Sequence, residues 1–162
     1  MDSESKYLLS SQLGQVLREA FAGPPGPWSY FTDNRRGVGL LFTLESLSAE
    51  EASLPSGPGG STIAGQVNHV QSSLAASIDL MKKESSTHDR TGTWTVTRVS
   101  DSEWSSLQRQ LREQYERSLQ TIQTRTDWDE DSLGAALGAV THVAYHLGSV
   151  RQRLLAAGIL RT

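Results

Sequence analysis

The sequence predicts an all-α protein, a bundle of long helices, and three observations carry that prediction. Apolar residues recur at three- and four-residue steps over four long stretches. Gly- and Pro-rich breaks interrupt the pattern after the first long stretch and before the second. Strand-like alternation is confined to the short run Thr93-Trp94-Thr95-Val96-Thr97. With 162 residues, the chain is expected to form one domain over 1–162, long enough to bury a sizeable core.

The first helix is expected from about Ser5 to Ala22, where Leu9, Leu13, Val16, Leu17 and Ala20 share one face. Gly23-Pro24-Pro25-Gly26-Pro27 stops it, because proline cannot donate to the helical ladder. Trp28, Tyr30 and Phe31 follow at once, and their plainest reading is a loop stapled onto the core by its aromatic rings. A substrate-facing aromatic wall is the sharper alternative. Gly37 to Leu47 fits a short helix, and Ser48 with Glu51 has the form of a capping box that starts another turn. Leu54-Pro55-Ser56-Gly57-Pro58-Gly59-Gly60 is a break.

The second long helix is expected from Ser61 to about Lys83, with Ile63, Val67, Val70, Leu74, Ile78 and Met81 as its apolar stripe. Between Ser61 and Ile78 it carries no charge, unusual for a helix with a wet face. Glu84 to Ser100 lacks helical periodicity and reads as a long crossover, of the kind that lets the helices on either side run parallel. His88 lies in it and is expected to be solvated. A third long helix follows from about Asp101 to Arg125. Ser100 and Glu103 form its capping signal, and Trp104, Leu107, Leu111, Tyr115, Leu119 and Ile122 its buried face.

The last helix is expected from about Asp131 to Ala157, with acidic residues at its positive end. Ser132 to Val150 is charge-free and rich in Gly, Ala and Ser. Because glycine disfavours helix by about 1 kcal/mol relative to alanine, Gly134, Gly138 and Gly148 suggest that a neighbour approaches closely. The helical wheel groups Leu133, Leu137, Val140, Ala144, Leu147 and Leu154 into one stripe, with His142 and His146 nearly opposite.

Composition narrows the chemistry. The net charge is −3 and no basic stripe occurs, which argues against nucleic acid as a main partner. There is no cysteine, so any metal site must use His, Asp, Glu or water. The N-terminus lacks a signal-peptide pattern and no stretch is apolar enough to span a membrane, so a cytoplasmic protein is expected.

His142 and His146 are one helical turn apart, with Cβ atoms roughly 6 Å from each other, a spacing at which two imidazoles can share a metal. His69 sits in the uncharged second helix among Thr62, Gly65, Gln66, Ser72, Ser73 and Ala76. A lone histidine off the apolar stripe is most often simply exposed. Yet helix faces of Gly, Ala and Ser without charges suit a cleft or a close helix contact better than open solvent. Both a three-histidine metal site and a packed interface with hydrogen-bonded histidines fit these residues. His142-Val143-Ala144-Tyr145-His146 has no Glu after its first histidine, so it is not the zinc-protease motif. Neither Asn68 nor Tyr145 is an obvious fourth ligand.

The order of these motifs resembles the DinB/YfiT-like superfamily of metal-dependent enzymes. The likeness rests on His69 after a Gly-rich loop, then His142-x-x-Tyr145-His146-x-Gly148-x-x-Arg151, and extends to Gly37–Leu47, Ala49-Glu50-Glu51-Ala52, Trp94 and Trp104. The resemblance implies an up-down-down-up four-helix bundle with a long crossover between helices two and three, often dimeric. It also implies a divalent metal, zinc or nickel, on His69, His142 and His146. Some members of the superfamily are S-transferases or isomerases that use low-molecular-weight thiols.

Three neutral imidazoles leave a metal its charge and an open position. The leading expectation is therefore a thiol S-transferase acting on a small electrophile. Arg35, Arg36, Arg151 and Arg153 are candidates for gripping a carboxylate on either substrate, although surface arginines are commoner. The alternatives are a metal-dependent hydrolase, which would want a carboxylate base, and a non-catalytic, stress-associated metal-binding protein. The charge-free faces could also pack against a second copy in a homodimer.

Overall fold

The computed structural model describes residues 2–85 and 93–160, so His88 lies outside the described residues. Among the described residues there are six helices and no strand. Four are long: α1 (Ser3–Ala22), α4 (Ile63–Lys82), α5 (Asp101–Thr124) and α6 (Glu130–Ala156). Two are short and lie between the first two long ones: α2 (Leu40–Glu45) and α3 (Ala49–Ala52). Both α1 and α4 pack against α5 and α6, while α2 rests on α1 and α5, and α3 on α4 and α5. The result is a helical bundle.

Each start signal is realised in hydrogen bonds. The Asp2 carboxylate accepts from the Ser5 N–H at 2.7 Å and caps α1. Ser48 with Glu51 and Ser100 with Glu103 close reciprocal capping boxes at α3 and α5. Asp129 and Ser132 form a third at α6. Gly23 ends α1 with φ 92°, a conformation that L side chains avoid. Facing it is Gly39, where a Cβ would lie 2.5 Å from both the Phe21 carbonyl oxygen and the Gly23 nitrogen. Backbone meets backbone there, and only glycine fits.

The core follows the helical periods. Leu13, Leu17, Ala20 and Phe21 come from α1, and Val67, Val70, Leu74, Ile78 and Met81 from α4. They meet Leu107, Leu111 and Ile122 of α5, and burying side chains of this size contributes about 1.5–3 kcal/mol each. In α6 the buried face differs from the expected stripe. Its apolar part consists of Ala136, Ala139, Val140, Val143, Leu147, Val150 and Leu154, while Leu133 and Ala144 are half-buried and Leu137 is 49% exposed. The helix is rotated so that its histidines flank the core rather than oppose it. The three glycines also turn out differently, because a Cβ at Gly134, Gly138 or Gly148 would meet nothing within 4 Å. No close neighbour requires them.

The expected aromatic staple is likewise not what holds the loop after α1. Trp28, Tyr30 and Phe31 are all exposed. The anchor is Glu19 of α1, itself fully buried. Its carboxylate accepts from the backbone N–H groups of Tyr30, Phe31 and Thr32 at 2.7, 2.9 and 2.8 Å, and from the Thr32 hydroxyl at 2.8 Å. Burial pushes this carboxyl up, but the four hydrogen bonds outweigh it and hold it below its ordinary value.

Other connections are fastened by helix side chains that donate to loop or helix-end carbonyls. Trp104 Nε1 donates to Leu47 O at 2.8 Å, Gln108 to Leu44 O at 2.9 Å and Arg153 to Leu54 O at 3.0 Å. Arg125 donates to Met81 O and Ser10 to Arg125 O. The crossover is tied to α4 in the same way, through Asn68 Nδ2 to Thr93 O at 2.8 Å and Thr62 Oγ1 to Val96 O at 3.2 Å.

Candidate metal centre

The charge-free halves of α4 and α6 face each other, and this brings all three sequence-predicted histidines together. His142 and His146 stack one turn apart on α6, with ring centroids 4.7 Å from each other. The His69 ring of α4 lies 4.9 Å from His142 and 5.3 Å from His146. One ring nitrogen from each can be chosen so that all three lie within 4.8 Å of one another, and such a group could hold a metal ion. His146 is buried and the other two are half-buried.

Neighbours that the spacing rules did not single out orient the rings. His69 Nδ1 is 2.8 Å from the Thr93 hydroxyl. His146 Nδ1 is 3.3 Å from Gln66 Oε1, a carbonyl oxygen, so the ring donates from Nδ1. Trp94 stacks on His69 with centroids 4.3 Å apart. Gln66 lies three residues before His69 and therefore on its side of the helix, a signal available in the sequence. Thr93 and Trp94 reach the site only through the folding of the crossover, which no local pattern encodes.

Electrostatics favour neutral imidazole at the deepest position. Burial, reinforced by the neighbouring His142 and His69, lowers the His146 pKa to about 4. At neutral pH this ring needs to lose no proton before it can act as a ligand.

The cluster opens into a cleft of about 570 Å³, with Gln66, Trp94, Thr141, Tyr145 and Ser149 among its walls. Among the described residues no carboxylate lines this cleft. Tyr145 is exposed and sets its ring against the edge of His146 at 5.2 Å. Asn68 serves the crossover rather than the site. The four arginines considered as carboxylate grips do not line the cleft either. Arg35 pairs with Asp33 at 2.6 Å, Arg151 approaches Asp33 and Val38 O, and Arg153 serves Leu54 O.

A second, smaller groove of about 210 Å³ runs between α4 and α6 beside the cleft and shares Gly138 and His142 with it. Among the described residues no helix is long and apolar enough to cross a membrane. Compared with known proteins, the chain matches no family model, no curated protein and no solved structure.

Proposed function

We propose that His69, His142 and His146 hold one divalent metal ion, zinc or nickel, and that the protein is a metal-dependent thiol S-transferase acting on a small electrophile. The observation that carries this reading is the convergence of three imidazoles, from two helices, at the wall of an open cleft. The donor set fits such an ion. The Nδ1 atoms of His69 and His146 each lie within hydrogen-bond distance of an oxygen, contacts that would leave Nε2 of each ring for the ion. A divalent ion supplies the charge that lowers the pKa of a coordinating thiol.

The chain's own residues do the rest. Gln66 and Thr93 hold two of the rings in orientation, and Trp94 covers one face of His69. The open cleft admits two small reactants side by side. With no cysteine in the chain, the thiol enters as a cosubstrate. Hydrolysis at the same ion would want a carboxylate base beside it, and none is among the described residues of the cleft walls. Its openness favours catalysis over a purely structural metal. The DinB-like resemblance, with its up-down-down-up topology and its dimers, belongs to the same proposal.

Metal content by mass spectrometry, on purified wild type and His142→Ala, tests the site. About one ion per chain is expected in wild type, with loss in the variant, and turnover of a model electrophile should then require added thiol. Absence of retained metal, together with no binding of zinc, nickel or manganese on titration, would sink the reading.

A further inference from the structure

The groove beside the histidine cleft has no role in the reading above, and its chemistry is distinctive. Its walls are Val70, Leu74 and Ala76 from α4 and Ala135, Ala139 and Val143 from α6. Among the described residues no Asp, Glu, Lys or Arg lines it. Of its two serines, Ser77 already donates its hydroxyl to Ser73 O at 2.9 Å. At one end it meets the cleft at His142 and Gly138, and at the other Leu80 stands 51% exposed.

We propose that this groove is the subsite for an uncharged apolar tail, a single ring or a short alkyl chain, of the small molecule whose reactive head sits at the histidines. The proposal rests on the metal reading and adds a substrate class to it. Three observations support it. The groove adjoins the cleft at Gly138 and His142, which line both, so the tail and head of one molecule would lie side by side. Its described walls are mainly apolar and carry no Asp, Glu, Lys or Arg to match an ionic tail, and desolvating such a tail there would be unfavourable. Its size suits a small group, because apolar cavities of about 150 Å³ hold a benzene ring and this one is about 210 Å³. The small side chains at 135, 138 and 139 keep the groove open, which gives the charge-free composition of α6 a use that close packing does not.

Ser73→Leu provides the test variant. Residue 73 is half-buried on the groove wall in mid-helix, and leucine is a better helix former than serine. Methyl NMR of metal-free protein titrated with toluene should shift Val70, Leu74 and Val143, and the shifts should vanish in the variant. In metal-loaded protein, phenylmethanethiol should bind roughly tenfold tighter than 2-hydroxyethanethiol, the scale set by burying one ring. That preference should disappear in Ser73→Leu while 2-hydroxyethanethiol binding and metal content stay as in wild type. Groove shifts without any metal binding would keep the apolar site and remove the metal reading. Metal binding with no toluene shifts, or no preference between the thiols, would overturn the tail subsite alone. A dimer in solution with the same methyls silent would assign the groove to a second copy instead.

Discussion

Gly65 and Val96 stand so close that a Cβ on the glycine would lie 2.6 Å from the Val96 carbonyl oxygen. The crossover therefore rests directly on the first turn of α4, and it carries Thr93 and Trp94 to His69. Gly65→Ala should destabilise the protein by about 1–3 kcal/mol through overpacking, even though alanine is the better helix former. Gly138→Ala, where the new Cβ meets nothing, should stabilise by up to about 1 kcal/mol. Urea midpoints of the two variants check this, and a Gly65→Ala midpoint at or above wild type would contradict the docking.

Glu19→Gln should loosen the loop at residues 30–32 and destabilise by about 1–3 kcal/mol, because an amide offers N–H where the carboxylate accepts. The sign of the pH effect follows from the lowered pKa. The unfolded chain takes up the proton near 4.5 while the folded one resists it. Glu19 therefore stabilises the fold above that pH, and the contribution is lost as pH falls through the lowered value. Denaturation between pH 5 and 3 should show a shallower acid loss in the variant; equal slopes would mean the carboxylate is not what matters.

Gln66→Leu and Thr93→Val remove the oxygen partners of two histidines without touching a proposed ligand. Each should weaken metal binding about 10–100-fold, measured by competition with a chelator of known affinity. Wild-type affinity in both would show that packing alone orients the rings.

His146 gives a separate pH signature in the metal-free protein. Its pKa is about 4 in the fold against 6.5 when unperturbed. Between those values the unfolded state binds the extra proton, so stability should fall as pH drops from 6.5 towards 4 and this contribution should level off below. NMR titration of the ring should report the low pKa directly, and His146→Gln should flatten the slope in that window. A ring that titrates near 6.5 would refute the expected burial effect.

The long helices were legible because their apolar periods, caps and breaks are local. Ser48 with Glu51 and Ser100 with Glu103 can be read without knowing the fold. The histidines were legible from spacing and from the missing charges around them. The buried face of α6 was harder. Small residues such as Ala136 and Ala139 carry as much of that face as the larger Leu133 and Leu137 do not, so side-chain size misplaced the stripe. Glu19 was invisible for the opposite reason, since a glutamate in an amphipathic helix looks solvated until the loop that satisfies it folds over. Thr93 and Trp94 depend on a non-local path, and sequence periodicity holds no information about such a path.

The fastenings of the connections are one-sided. Trp104, Gln108, Arg153 and Asn68 donate from helices and Thr62 from the residue that caps α4, and what they grip are the backbone oxygens of residues 47, 44, 54, 93 and 96. Every amino acid possesses that oxygen. Sequence drift at the gripped positions therefore leaves these bonds in place, whereas drift at the donors breaks them. A saturation mutagenesis map of this chain should show that asymmetry where the gripped side chain is itself exposed, permissive at Leu54 and strict at Arg153, whereas Leu44, Leu47 and Thr93 stay strict because their side chains are buried. Lineages could then rewrite an exposed stretch such as the one at Leu54 without losing the scaffold.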